Sequence, residues 1–237
     1  MSLLTALPLD SSASSSPWHF WGYFLDHRST DLGWLWDHTW LSVLPVVAGL
    51  LLALPLGWLS RRYSWVYPPM MSITGLLYTV PSIALFVIIP PLFGFSDPLT
   101  PWQVPIALTF YSTALLVRVV ADGLGAVSAE TVQAATAIGF RPLGRFFRVE
   151  LPIAVPVITA GLRVAIVANV SLVAVAGTIG QDNLGRLFDE GFKLSTDTPY
   201  YPPIVLGIVL CVVLALVLDA LVQLASRALT PWRRVAR

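Results

Sequence analysis

The chain has 237 residues, of which 56% are hydrophobic and only 11% charged. A water-facing domain carries roughly a quarter charged residues, so an ordinary soluble fold is excluded, and disorder more firmly still. Fourteen bases against thirteen acids give a net charge of +1, which leaves no basic excess for binding nucleic acid. The single cysteine, Cys211, can form neither an internal disulfide nor a thiolate metal site. An all-α integral membrane protein is the class that remains.

The first 38 residues lack the basic start and apolar core of a signal peptide. After a serine-rich stretch, Ser11 to Ser16, they hold Trp18, Trp21, Trp34 and Trp36, with Trp40 just beyond. Tryptophan favours the membrane interface, because its ring is apolar and its N–H wants a partner. Residues 1–38 are therefore expected to be an extracytoplasmic segment with an interfacial helix. A second reading is an aromatic surface that meets a partner or a cationic ligand.

A membrane span needs about 20 apolar residues to cross roughly 30 Å of hydrocarbon. Uncharged runs cover Thr39 to Ser60, Tyr63 to Ser96, Pro98 to Val117 and Thr198 to Leu218. Leu151 to Gly180 is broken only by Arg163. The second run is too short for two spans. Its prolines predict one helix from Val66 to Ile89, started by Pro68-Pro69 and stopped by Pro90-Pro91. A loop through Phe93-Gly94-Phe95 follows. The prediction is five spans in one transmembrane domain, residues 39–230, with a basic tail over 231–237.

Arginine placement sets the orientation. With five spans and the N-terminus outside, Arg61, Arg62, Arg141, Arg145, Arg148, Arg227, Arg233, Arg234 and Arg237 share one side. The other side collects Arg28, Arg186 and Lys193. The richer side is expected to be cytoplasmic.

Spans three and four are joined by Arg118 to Glu150, far more chain than a helix–helix connection needs. Ala121 to Ile138 reads as a helix. Gly139 interrupts it, and Pro142 suits the first turn of a second helix. Between the helices lies a small apolar tip, Ala134, Ala135, Ala137 and Ile138. It faces the basic side with nothing of its own to bury against, as a docking element would.

This segment reads Gln133-Ala134-Ala135, three residues, Gly139, nine residues, Val149, Glu150, Leu151-Pro152. It resembles the cytoplasmic loop of binding-protein-dependent ABC importer permeases, with Gln for the usual leading Glu and Val for Ile. The stretch from Val149 to Ile158, then Ala160 to Arg163, resembles glycine betaine/choline osmoprotectant permeases. So do Val80-Pro81-Ser82-Ile83-Ala84-Leu85 and Pro91-Leu92-Phe93-Gly94. The resemblance covers roughly residues 40 to 230. It departs at Gly180-Gln181-Asp182-Asn183-Leu184-Gly185, where these permeases have a glycine-rich pattern.

The resemblance implies the type I ABC importer permease fold. It implies as partners ABC ATPase subunits, a second permease subunit and an extracytoplasmic solute-binding protein. ATP and magnesium would be bound by the partner ATPase and no cofactor by this chain. The sequence agrees, since the one lysine, Lys193, stands in no phosphate-binding loop. Gln133, Ala134, Ala135, Gly139, Arg141, Leu151 and Pro152 would couple the permease to the ATPase. Arg141, Arg145 and Arg148 are candidates to pair with its acids, or simply mark the cytoplasmic side.

Helix-breaking and polar positions within spans are candidate linings of the translocation path: Tyr78, Pro81, Ser82, Asn169 and Ser171. For the last two, hydrogen bonding between helices is the competing role. Intramembrane charge is costly, so Arg163 and Asp219 are read as a structural or gate-linked pair. A quaternary ammonium solute would favour aromatic faces, and Tyr78, Phe86, Phe93, Phe95 and Trp102 are available. No metal site is expected. An intramembrane enzyme is disfavoured, because His19, His27 and His38 all precede the first span. The alternative solute is another small molecule, such as an amino acid or a sulfonate.

Overall fold

The computed structural model describes residues 16–97, 100–193 and 200–231. Most of the serine-rich stretch, the predicted start of the last run at Thr198, and Arg233, Arg234 and Arg237 lie outside these. Among the described residues every regular element is helical.

A single 3-10 turn, Pro17–His19, leads into α1, Phe20–Arg62. The expected boundary at residue 38 has no break in the helix. At about 1.5 Å per residue α1 is about 65 Å long, more than twice the roughly 30 Å of hydrocarbon. With Thr39 to Ser60 in the bilayer, its first half projects beyond it. Arg61 and Arg62 close the helix, where bases suit the macrodipole.

The second span is not the single continuous helix expected from Val66 to Ile89. It is divided into α2, Tyr67–Thr79, and α3, Ser82–Leu92, which meet at 105°. Pro81 is the cause. It lacks an N–H and pushes the preceding residue out of the helical region; Val80 is extended at φ −70°, ψ 128°. Pro90 and Pro91 do not stop the helix but lie in its last turn.

α4, Gln103–Gly125, runs past the predicted end at Val117. Arg118 and Asp122 continue it as an exposed i,i+4 pair at 3.9 Å. The expected helix from Ala121 to Ile138 is thereby split. Ser128 caps a separate α5, Ala129–Ala137, accepting from the Thr131 N–H at 3.2 Å. After Gly139, α6 spans Pro142–Arg145. A π-helical segment, Phe146–Glu150, joins it without a break to α7, Leu151–Ala176. A 3-10 turn, Gly177–Ile179, then α8, Arg186–Lys193, and α9, Tyr201–Leu229, complete the described chain.

Among the described residues, four helical stretches are long and apolar enough to cross a membrane, and the bent α2–α3 pair makes a fifth if it counts as one span. The core forms where α1, α4, α7 and α9 meet, around Val46, Leu116, Val120, Ile158, Ile166 and Leu206. A second cluster joins α3 to them through Leu41, Phe86, Ile89, Leu108 and Val173. Leu51, Ile73, Leu216 and Leu224 stand exposed. In a bilayer they meet lipid, which is as apolar as they are.

Candidate functional site

The segment from α5 to the start of α7 stands at the basic end of the bundle. Gly139 has φ +92°, a backbone that glycine alone adopts without strain. It turns the chain so that α5 and α6 form two arms. Arg141 is extended and exposed, and Pro142 takes the first turn of α6. Gln133 and Ala134 are exposed, but Ala135 is buried at 5%. Ala135 therefore belongs to the inner face of α5 and not to the free tip. The surface on offer is Ile138, Leu143 and Phe147, all largely exposed. They surround a groove with Gly139, Arg141 and Arg148 on its walls. Leu151 and Pro152 are half-buried in the first turn of α7.

Arg145 does not point away toward a partner. Its Nε donates to Glu150 at 2.5 Å and its NH1 to Thr136 Oγ1 at 2.8 Å. One guanidinium thus ties α5 to the head of α7. Both charged side chains are mostly buried, and Phe146 beside them rests on Trp58 of α1. Nothing in the spacing of the loop could have shown this pairing.

The break between α2 and α3 places Tyr78, Pro81 and Ser82 at one bend. The carbonyl of Val80 accepts a hydrogen bond from the Tyr111 hydroxyl of α4. Tyr78 packs edge-on to the Tyr111 ring at 5.7 Å. Tyr78 and Pro81 are exposed, and Ser82 is partly so. Among the aromatics considered for a cation, Phe86 is wholly buried and so unavailable. Trp102 leans on Trp40 with half its surface free.

Asn169 lies inside the bundle, 2% exposed. Its amide donates to the Ser42 carbonyl at 3.3 Å and to Ser112 Oγ at 3.1 Å. It thus links α7 to α1 and α4. Ser171 is exposed on the opposite side of α7. Arg163 and Asp219 meet between α7 and α9. Nε reaches Oδ1 at 2.6 Å and NH2 reaches Oδ2 at 2.9 Å, while Gln223 donates to Oδ2 at 2.7 Å. The pair stands near mid-helix, with the Arg163 side chain 44% exposed. It is flanked by Val164, Val167, Val212 and Leu216.

The stretch from Gly180 to Gly185 folds back onto the end of α7. Asn183 accepts from the Gly185 N–H at 2.6 Å and donates to the Gln181 carbonyl at 3.0 Å. A Cβ on Gly185 would lie 1.9 Å from the Ala174 carbonyl oxygen, so only glycine fits. His38 of α1 fastens the same loop. Its Nδ1 accepts the Leu184 N–H at 3.3 Å and its Nε2 meets the Val170 carbonyl at 3.0 Å. These partners require the neutral ring with the proton on Nε2. A histidine just ahead of a span gave no sign of this in the sequence.

The family described as "binding-protein-dependent transport system inner membrane component" matches residues 45–231. This chain belongs to that family. The permease is accordingly a multi-pass inner-membrane protein. It is 33% identical over 210 residues to the osmoprotectant import permease protein OsmW of Salmonella typhimurium, covering 88% of this chain and 96% of that one. It is 31% identical over 199 residues to the choline transport system permease protein OpuBB of Bacillus subtilis, covering 83% and 87%. Its fold is that of the methionine ABC transporter MetNI in an inward-facing conformation, with TM-score 0.69 and 21% identity over 90% of this chain and 99% of that one. An amino acid ABC transporter crystallised with histidines gives TM-score 0.69 at 20% identity over 87% and 97%.

Proposed function

We propose that this permease forms half of the path by which an ATP-driven importer takes up a small osmoprotectant of the glycine betaine, choline or carnitine class. The basic end is cytoplasmic and the tryptophan end outside. The arms around Gly139 seat in a groove of a separate ATPase, which binds ATP and magnesium. An extracytoplasmic binding protein delivers the solute.

The observation that carries the coupling role is the two-armed segment itself. It combines a left-handed glycine, an exposed Ile138–Leu143–Phe147 surface and a buried Arg145–Glu150 strut on the side richest in arginine. A protruding apolar surface on a rigid support suits transmission of a partner's motion. The Arg163–Asp219 pair supports a second permease subunit. A charge pair exposed at mid-span is costly against lipid. Its face is therefore turned to the second subunit or to the water-filled path between the two. The solute class is supported by the names of the relatives, which span most of this chain.

The test is radiolabelled uptake in a strain lacking its own osmoprotectant importers, with the permease expressed beside its ATPase and binding protein. Choline or glycine betaine uptake that rises with external salt is expected. Uptake of amino acids or sulfonates alone would replace the solute class and leave the coupling role standing.

A further inference from the structure

The tryptophan end carries a cleft that neither the coupling segment nor the span break uses. It lies between the first turns of α1, the last turn of α8 and Tyr200 at the head of α9, and has a volume of about 790 Å3. Tyr23 and His27 stack on one wall with ring centroids 4.2 Å apart. Tyr200 stands edge-on to Tyr23 at 6.3 Å. Glu190 closes the other side and accepts the Tyr23 hydroxyl at 2.6 Å. Asp26 adds an exposed carboxylate at the rim.

Asp31 continues the stripe of Tyr23 and His27, each one turn further along α1. It is 1% exposed, and neither of its carboxylate oxygens has a hydrogen-bond partner among the described residues. It lies near enough to His27 and Glu190 to feel both groups' charge. The neighbouring bases are already engaged. Lys193 at the rim is held by Asp189 at 2.6 Å, and Arg186 lies between Asp182 and Asp189. A buried carboxylate with no partner is costly, so this site is short of a positive charge.

The lining selects the kind of cation. A metal ion needs several donors converging on one point, and no group of three or more His, Cys, Asp or Glu able to do so occurs among the described residues. Aromatic faces beside carboxylates suit a larger, weakly hydrated ammonium centre. We propose that this cleft binds a small organic ammonium cation, with its charge toward Glu190 and Asp26 on the walls and the field of Asp31 behind them, and its alkyl groups against Tyr23 and Tyr200. The proposal rests on the osmoprotectant reading with the tryptophan end outside, and deepens it: the permease itself holds the cation on the outer side. Choline fits this chemistry better than glycine betaine, whose own carboxylate meets Glu190 and Asp26. The ammonium headgroup of phosphatidylethanolamine shares the chemistry.

The experiment uses the assembled transporter in nanodiscs without its binding protein, with radiolabelled choline as the probe. In phosphatidylglycerol discs the wild type is expected to bind choline saturably. Glu190→Gln, Asp31→Asn and Tyr23→Leu are each expected to weaken binding by about tenfold, and glycine betaine to compete about tenfold less well than choline. Asp31→Asn is nearly isosteric and removes an unpaired charge, so it keeps the fold. Loss of choline binding on adding phosphatidylethanolamine would identify a headgroup as the occupant, and persistence would identify the free solute; either places an ammonium in the cleft. Absence of saturable binding in both lipids, in a preparation that still hydrolyses ATP, would overturn the proposal. So would binding unchanged in both Glu190→Gln and Asp31→Asn. Uptake with the binding protein present is a separate readout, and its failure would count against the solute class and not against the cleft.

Discussion

The Tyr111 hydroxyl donates to the carbonyl of Val80, the residue at which α2 and α3 part. Pro81 breaks the helix there, and Tyr111 gives the freed carbonyl a partner within the bundle. Tyr111→Phe keeps the ring against Tyr78 and removes only this bond. Hydrogen bonds between transmembrane helices average about 0.6 kcal/mol, so the variant is expected to fold and melt nearly as the wild type. Uptake is expected to fall several-fold, because the bend loses its anchor. Uptake at the wild-type level would show that the bend is held by Pro81 alone.

Gly139 offers a sharper test of the coupling segment. A side chain there meets no neighbouring atom within 4 Å, so the cost of substitution is in the backbone, about 1–2 kcal/mol for an L-residue in the left-handed region. Gly139→Leu is expected to abolish uptake while membrane levels, read by immunoblot, stay normal. Normal uptake in this variant would end the coupling assignment.

Arg145 and Glu150 predict a different defect. Breaking a buried pair by removing one partner costs about 3–5 kcal/mol, and side chains 15% and 12% exposed put this pair toward the lower figure. Arg145→Gln is expected to loosen α5 from α7. The partner ATPase would then hydrolyse ATP with little uptake. ATP hydrolysed per solute imported is the quantity to measure, and an unchanged ratio would leave the strut without a role in coupling.

The Arg163–Asp219 pair predicts reciprocity. Arg163→Ala or Asp219→Ala leaves one charge alone at mid-span, and each is expected to lower both yield and uptake. The swap, Arg163→Asp with Asp219→Arg, is expected to recover much of both. A swap no better than either single variant would mean that one residue acts through something other than its partner.

Asp31 predicts a pH dependence. With Thr39 to Ser60 in the bilayer, it lies in the part of α1 beyond it, near Tyr23 and His27 of its own helix and Glu190 of α8. Burial pushes its carboxyl up from the ordinary 3.8 to about 6, and Glu190 adds to the rise while His27 opposes it. The folded protein therefore holds a proton here that the unfolded chain releases. The stability that Asp31 contributes is fully present below about pH 4 and is lost as pH rises through about 6. Asp31→Asn is expected to melt a few degrees higher at pH 7 and to lose that slope. Melting curves between pH 4 and 7 would check this, and parallel profiles for the two proteins would exclude Asp31 as the group responsible.

The amino-acid sequence alone was enough for class and family. Low charge excluded a soluble fold, apolar runs located the membrane segments, and arginines marked one side. The spacing from Gln133 through Gly139 to Leu151-Pro152 marked the loop that resembles the family's cytoplasmic loop. These are local properties, set by composition, by chain spacing and by what glycine and proline permit. The bend at Pro81 was foreseen only as a place to kink, because a proline breaks a helix without fixing the direction taken by the next one. Tertiary packing decided the rest. It buried Ala135, turned Arg145 inward onto Glu150 and put Asn169 between Ser42 and Ser112. It also joined His38 to Leu184 and left Asp31 buried without a hydrogen-bond partner among the described residues. Most of these contacts join residues far apart in the chain. Hydrophobic periodicity shows which face of a helix is covered, but only the packed bundle determines which side chain from another helix covers it.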